Sequence, residues 1–130
     1  MAGLLFHIPS GEVSLSAGVA KTVLEVLAAA NHRAKVLAVE VFFKGTSTTD
    51  TPVKVDIARI TTTGTGSAGT TVKNDADDDE VVQTTFEFNS TVEPTYGAVL
   101  KTWEIHPQTG LILAFPLGQE IIINGGDLLG

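Results

Sequence analysis

Short apolar runs separated by turn residues dominate the C-terminal third of the chain. Pro or Gly interrupts the chain at 107–110, 116–118 and 124–127. Antiparallel strands joined by tight turns are typical of this pattern. The predicted strands are one through Trp103 and Ile105, one at 111–115, one at 119–123 and a short one at Leu128 and Leu129. The stretch therefore predicts an all-β fold.

Period-two alternation extends this prediction upstream. Positions 52–60 place Val53, Val55 and Ile57 on one face, and 81–88 repeats the arrangement with apolar residues on one side. With turn signals about every ten residues, some eight strands predict an antiparallel β-sandwich of jelly-roll type.

Two further segments are apolar without simple alternation. Positions 34–44 predict a central strand that is buried on most of both faces. Positions 21–30 fit both helical and strand spacing. Their β-branched content favours a strand, although a single helical turn at 28–30 stays open.

A length of 130 residues predicts one domain. We expect residues 1–20 to form an arm and an edge strand, and residues 21–130 to form the sandwich. Positions 45–51 read as a polar loop. The segment 61–80 is rich in Thr, Gly and Ser and then in acidic residues, which predicts a long flexible acidic loop outside the sandwich.

Composition excludes several classes of partner and site. A net charge of -7 with only eight Lys and Arg does not suit a nucleic-acid groove. The absence of cysteine excludes disulfide frameworks and thiol nucleophiles. The N-terminus does not resemble a secretory signal and no apolar run reaches membrane-spanning length, so we expect synthesis in a cytoplasm and no membrane partner.

Three patterns resemble ligand sites and fail on context. Positions 64–69 match G-x-G-x-x-G, but the residues that follow cannot open the helix that a dinucleotide site needs. Asp75, Asp77 and Asp79 have calcium-loop spacing, but Glu80 and Phe86 stand where that loop needs Gly and Glu. A loose divalent site shared with a neighbouring chain stays open.

Histidines at positions 7, 32 and 106 lack the paired spacing of a metal site, although His7 and His106 could still meet in space. We therefore predict no catalytic, cofactor-binding or metal-binding residues.

Large apolar residues occupy both faces of the C-terminal strands, whereas a small sandwich has one inner face to bury them. Subunit contacts are the expected cover for the other face. The one tryptophan is expected to anchor the core or such a contact. The predicted interface residues are Trp103, Leu113, Phe115, Ile121, Ile122 and Ile123.

Residues 20–130 resemble small structural proteins encoded among the head genes of tailed bacteriophages and prophages. The resemblance is carried by the motifs at 41–46, 52–56, 103–110, 115–120 and 125–127. It implies a β-sandwich that often assembles as a trimer and decorates or cements a capsid, and it brings no active site. Chains of that kind run on past Gly-Asp-Leu-Leu-Gly through another strand or hairpin, so either this sequence is incomplete or a neighbour completes the sheet.

The resemblance thus implies a non-enzymatic virion protein, a capsid decoration subunit on the head surface. Its expected partners are the major capsid protein and further copies of itself, as a homotrimer. The alternative is the trimeric head of a fibre that recognises a host glycan or protein. An aromatic groove would favour that alternative, and the chain has one Trp and one Tyr.

Overall fold

The computed structural model describes residues 4–44 and 51–130. Within these ranges the chain forms antiparallel strands and no helix. The strands are β1 (Phe6–His7), β2 (Leu24–Leu27), β3 (Ala34–Val36), β4 (Ala38–Phe42), β5 (Val53–Thr62), β6 (Thr65–Ala68), β7 (Val72–Lys73), β8 (Thr85–Val92), β9 (Thr95–Ile105), β10 (Gly110–Ala114), β11 (Ile121–Ile123) and β12 (Leu128–Leu129). The predicted loop at 45–51 lies, except for Thr51, outside the described residues.

Six strands form one sheet in the order β6, β8, β2, β12, β5, β9. Its longest pairing joins β5 to β9, with Val53 opposite Ile105 and Val55 opposite Trp103. Beyond Ile57 the register of this pair shifts three times. Such irregularities twist an edge strand and discourage uncontrolled pairing with other chains.

A two-stranded ribbon, made of β3 and β4 on one side and β10 and β11 on the other, forms the second layer. β10 pairs with β4, the Phe115 N–H donates to the Leu37 carbonyl oxygen at 2.8 Å, and β11 then pairs with β3. Residues 116–120 loop out between the two pairings. Gly118, at φ +87°, supports that turn because a side chain is disfavoured in this conformation.

The core lies between the ribbon and the six-stranded sheet. Ile57 and Leu129 of the sheet meet Ile121 and Ile123 of the ribbon, and Trp103 packs against them. The inner side chains follow the alternation of their strands, as expected when one face of each layer is buried. The all-β antiparallel sandwich is therefore confirmed, and its jelly-roll connectivity stays a prediction.

The segment 61–80 departs from the prediction of a flexible loop outside the sandwich. Its first two residues end β5, β6 adds an edge strand beside β8, and β7 pairs with β1. β6 is an ordered strand because its backbone pairs with β8, and the polar composition of the segment did not indicate this pairing. Residues 63–64, 69–71 and 74–80 lie outside any strand, and 74–80 is the longest of these stretches.

For two other segments the observed strands differ in extent from the predicted ones. Positions 34–44 form β3 and β4 with a break at Leu37, and the outer face of β4 is exposed, so this is no strand buried on both faces. The predicted strand at 81–88 begins at Thr85 and runs to Val92. At 21–30 the strand interpretation is confirmed, as β2.

Candidate functional site

The outer face of the ribbon carries a row of exposed apolar side chains. On β10, Leu111 and Leu113 face inward, so Ile112 points outward and is 68% exposed. Phe42 on the paired strand is 64% exposed and its ring covers Gly110. Leu117, in the turn between β10 and β11, is 97% exposed. We call Phe42, Ile112 and Leu117 the outer ribbon patch.

Glu40 is the charged residue within β4, and it lies directly opposite Ile112. A second carboxylate, that of Glu120, accepts a hydrogen bond from the Gly118 N–H beside Leu117. Exposed large apolar side chains in such numbers are more typical of a protein–protein interface than of a solvated face.

The chain also exposes more surface than a compact protein of its size. Its accessible area is 8793 Å². A folded monomer of this mass is expected to expose about 6,600 Å², roughly 2,200 Å² less. A standard interface covers about 800 Å² on each partner. The excess is therefore large enough for more than one subunit contact.

A hollow of about 2520 Å³ accounts for part of this surface. It lies between the ribbon, the first half of β5 and the N-terminal segment, and its lining includes Val36, Val39, Val53 and Val55. β1 is held at one side by pairing with β7 and by the contact between His7 Nε2 and Asn74 Oδ1 at 3.3 Å. The N-terminal segment therefore frames the hollow without filling it.

The structure distributes the predicted interface residues between the core and its margins. Ile121 and Ile123 are buried in the core, where Trp103 and Phe115 pack against them. Leu113 and Ile122 are half-buried. The Ile122 carbonyl oxygen accepts a hydrogen bond from Arg59 Nη1 at 2.7 Å. The more exposed members of the same elements, Ile112 and Leu117, were not among the predicted residues.

A cluster of hydroxyl and carboxylate groups fixes the start of β2. The Thr22 N–H donates to both carboxylate oxygens of Glu93, at 3.1 and 3.0 Å. The Thr22 hydroxyl donates to Glu93 and also contacts the Tyr96 hydroxyl. Either hydroxyl can be the donor in the contact between Thr22 and Tyr96.

Desolvation by burial raises the pKa of the Tyr96 hydroxyl above its ordinary value. The hydrogen bond with Thr22 acts in the opposite direction, while the carboxylates of Glu93 and Glu25 raise the pKa further. The net effect favours the neutral form of the phenol. These contacts tie strands together, and sequence analysis missed them because Thr22 and Glu93 are 71 positions apart.

Glu25 is a buried carboxylate, with 3% of its surface exposed. It accepts from the Thr63 hydroxyl at 2.6 Å and from the Gly64 N–H at 3.2 Å. The glycine-rich motif at 64–69 is thus occupied by protein carboxylates, since the Gly66 N–H also donates to Glu87 at 3.1 Å. N–H groups already paired with carboxylates cannot bind a phosphate.

The aspartates at 75–79 and the three histidines do not form a metal site in the part of the chain that the structure describes. The Asp75 and Asp78 carboxylates accept hydrogen bonds from the backbone N–H groups of Asp77 and Glu80, at 3.0 and 2.9 Å. His106 Nδ1 accepts from the Gln108 N–H at 3.1 Å. These contacts shape local turns.

No protein-family model, no curated protein and no solved structure matches the chain. Among residues 4–44 and 51–130, no helix has the length and apolar character needed to cross a membrane.

Proposed function

We propose that the chain is a non-enzymatic structural subunit of a bacteriophage virion, a decoration protein that binds the lattice of the major capsid protein and stabilises the head. It acts on the capsid surface as a homotrimer. The resemblance of residues 20–130 to phage head proteins supports this proposal. The exposed apolar surface described above supports the part that concerns assembly.

The outer ribbon patch is the observation that carries the proposal. Ile112 and Phe42 expose most of their side chains on a regular, well-paired pair of strands. A rigid apolar surface of this kind can dock on a partner with little loss of conformational entropy. Capsid decoration needs such a preformed surface, because each subunit must bind the same lattice position in the same orientation.

The alternative, a receptor-binding fibre head, has less support. Recognition of a glycan by aromatic stacking needs an accessible ring. Trp103 is packed against the core cluster. The rings of Phe42 and Tyr96 are exposed, but they lie on β4 and β9, which belong to different sheets.

Co-sedimentation with empty heads tests the proposal. The heads are made from the major capsid protein encoded in the same gene cluster, and the chain is added in excess before sedimentation. We expect it to sediment with the heads at a fixed ratio to the capsid protein. The Ile112→Glu variant should bind about tenfold more weakly or worse, because it places a second carboxylate beside Glu40 in the contact.

Gln119→Glu is the matched control, since it adds the same charge at an exposed position of the adjacent turn. This variant should bind as the wild type does. If wild-type chain remains in the supernatant at saturating concentration, the capsid-decoration proposal is rejected. Equal binding by both variants would instead exclude the outer ribbon patch as the docking surface.

A further inference from the structure

Asparagine occurs at positions 31, 74, 89 and 124 of the chain. An asparagine side chain can react with the backbone nitrogen of the residue that follows it, and asparagine is accordingly among the thermally labile residues. In a folded protein the reaction depends on whether the asparagine is exposed, whether its side-chain amide is bonded and whether the following N–H is free. The four positions differ in these respects.

Asn124 opens the tight reversal between β11 and β12. The Asp127 N–H donates to the Asn124 carbonyl oxygen at 3.0 Å, and Gly126 has φ +84°. Asn124 and Gly125 are both exposed. Neither the side chain of Asn124 nor the N–H of Gly125 makes a hydrogen bond with any described residue. Both groups that take part in the reaction are therefore free and open to water.

Gly125 leaves its backbone nitrogen unhindered because it has no side chain. A Cβ atom at this position would lie 2.5 Å from the Ala30 carbonyl oxygen, so the close approach of the turn between β2 and β3 requires glycine here. The packing of the two turns thus places the least hindered kind of backbone nitrogen directly after an exposed asparagine.

Asn31 and Asn89 are each followed by an N–H that is already bonded. The N–H groups of His32 and Ser90 donate to backbone carbonyl oxygens, at 3.0 and 3.1 Å. Neither nitrogen can turn toward the preceding side chain without losing its hydrogen bond. The side-chain oxygen of Asn89 is also buried. Both positions are therefore protected in the folded chain.

Asn74 is protected in a different way. Its side-chain oxygen contacts His7 Nε2 at 3.3 Å, which holds the amide at the pairing of β1 with β7. The residue that follows is Asp75, whose side chain hinders the approach to its own backbone nitrogen. Asn124 is thus the position at which exposure, a free amide and an unhindered nitrogen coincide.

We propose that Asn124 is a site of spontaneous deamidation, in which the Gly125 nitrogen attacks the side-chain amide carbon of Asn124. The Gly125 N–H gives its proton to hydroxide or water, the new C–N bond closes a succinimide ring, and the bond from that carbon to Nδ2 breaks. The leaving nitrogen takes up a proton and departs as ammonia. Water then opens the ring at either carbonyl carbon and leaves aspartate or isoaspartate at position 124.

Isoaspartate lengthens the backbone by a methylene group at the corner where the chain passes from the ribbon to the sheet. β11 pairs with β3 in the ribbon, and β12 pairs with β2 in the sheet. The corner is fixed by the Gly126 N–H, which donates to the Ala28 carbonyl oxygen at 3.0 Å, and by the Ala28 N–H, which donates to the Asp127 carbonyl oxygen at 3.1 Å. A longer backbone displaces these groups, so the isoaspartate form holds the ribbon to the sheet less firmly.

Incubation of the purified chain at mildly alkaline pH tests the reaction, because loss of the proton from the attacking nitrogen accelerates it. We expect a more acidic species to accumulate on anion-exchange chromatography, since deamidation adds a carboxylate. Trypsin cleavage after Lys101 releases the peptide 102–130, in which Asn124 is the asparagine. Mass spectrometry of the tryptic peptides should locate the change at Asn124 before any other asparagine reacts.

Asn124→Gln is the variant that should not form the acidic species, because glutamine would have to close a larger and less favoured ring. The position is exposed, so this substitution should leave the fold intact. Asn31→Gln is the matched control and should convert at the wild-type rate. The proposal is overturned if the wild type forms no acidic species, if another asparagine converts first, or if Asn124→Gln converts equally.

Urea denaturation tests the effect on the corner. Asn124→Asp is the matched control, since it carries the new charge without the additional methylene group. It should unfold at the same urea concentration as freshly prepared wild type. The acidic fraction of the incubated chain, with its isoaspartate content read from the same peptide map, should unfold at a lower concentration.

Equal midpoints of that fraction and Asn124→Asp would overturn the loosening of the corner. These experiments use the isolated chain, so their outcome is independent of the proposed role on a capsid.

Discussion

At the scale of single residues, the buried polar groups organise the ends of strands. Thr22 and Glu25 are buried polar residues of the β2 region, and each is paired with a partner far along the chain. A buried carboxylate is tolerated only when hydrogen bonds replace its lost hydration. The sequence shows these residues as ordinary polar positions, because their partners are fixed by strand order and not by local spacing.

Tyr96 offers a direct probe of this cluster because it is the single tyrosine of the chain. Its raised pKa predicts that the phenol titrates above the ordinary value of 10.0. The folded state then holds its proton more tightly than the unfolded state does. The contribution of Tyr96 to stability is therefore fully present below pH 10.0. It is lost as the pH rises through the raised pKa of Tyr96 in the folded state. An ultraviolet titration of phenolate absorbance measures the midpoint.

Glu93→Gln is the informative variant for this titration. It removes a carboxylate that raises the pKa of Tyr96 while keeping an oxygen that can accept from Thr22. Its titration midpoint should lie below that of the wild type. A wild-type midpoint at or below 10.0 would contradict the burial and contacts of Tyr96.

At the scale of elements, β6 shows how glycine can specify a strand. A Cβ atom on Gly66 would lie 2.7 Å from the Phe88 carbonyl oxygen, and one on Gly64 would lie 2.3 Å from that of Val92. These distances are too short for any side chain. The absence of Cβ atoms therefore allows β6 to approach β8 closely enough to pair.

Gly66→Ala should consequently destabilise the sheet by about 1–3 kcal/mol, because β6 must shift away from β8 to admit the methyl group. Urea denaturation measures this loss. Ser67→Ala is the matched control on the same strand, and its exposed side chain predicts a change within about 0.5 kcal/mol. Equal stability of the two variants would show that β6 does not pack as described.

Comparison of β5 with β6 and β12 shows what sequence patterns can predict. Short apolar runs between turn residues identified β10 and β11, whereas alternation identified β5, whose first half alternates between half-buried and exposed side chains. It failed at β6, where glycine contributes no side chain to the pattern. It also gave no indication that β12 lies between β2 and β5, because that pairing depends on contacts across the whole chain.

The sequence predicted that an interface exists, but it did not predict which residues form it, because that depends on strand pairing. Apolar residues on both faces of 111–115 and 121–123 indicated that one face would need a cover. Which face lies inward depends on the pairing of β10 with β4. That pairing turns Ile112 outward, while β11 places Ile121 and Ile123 in the core.

At the scale of the whole molecule, a six-stranded sheet is covered by a two-stranded ribbon. This mismatch leaves the hollow and the outer ribbon patch as separate surfaces that no other described residues cover. Exposed apolar surface of this extent favours association. Self-association is therefore the central claim for the isolated chain.

Sedimentation equilibrium of the purified wild-type chain at micromolar concentration, without capsids, tests that claim most directly. We predict a homotrimer, with a mass three times the 13.6 kDa of one chain. A species that remains at 13.6 kDa across the concentration range would contradict self-assembly.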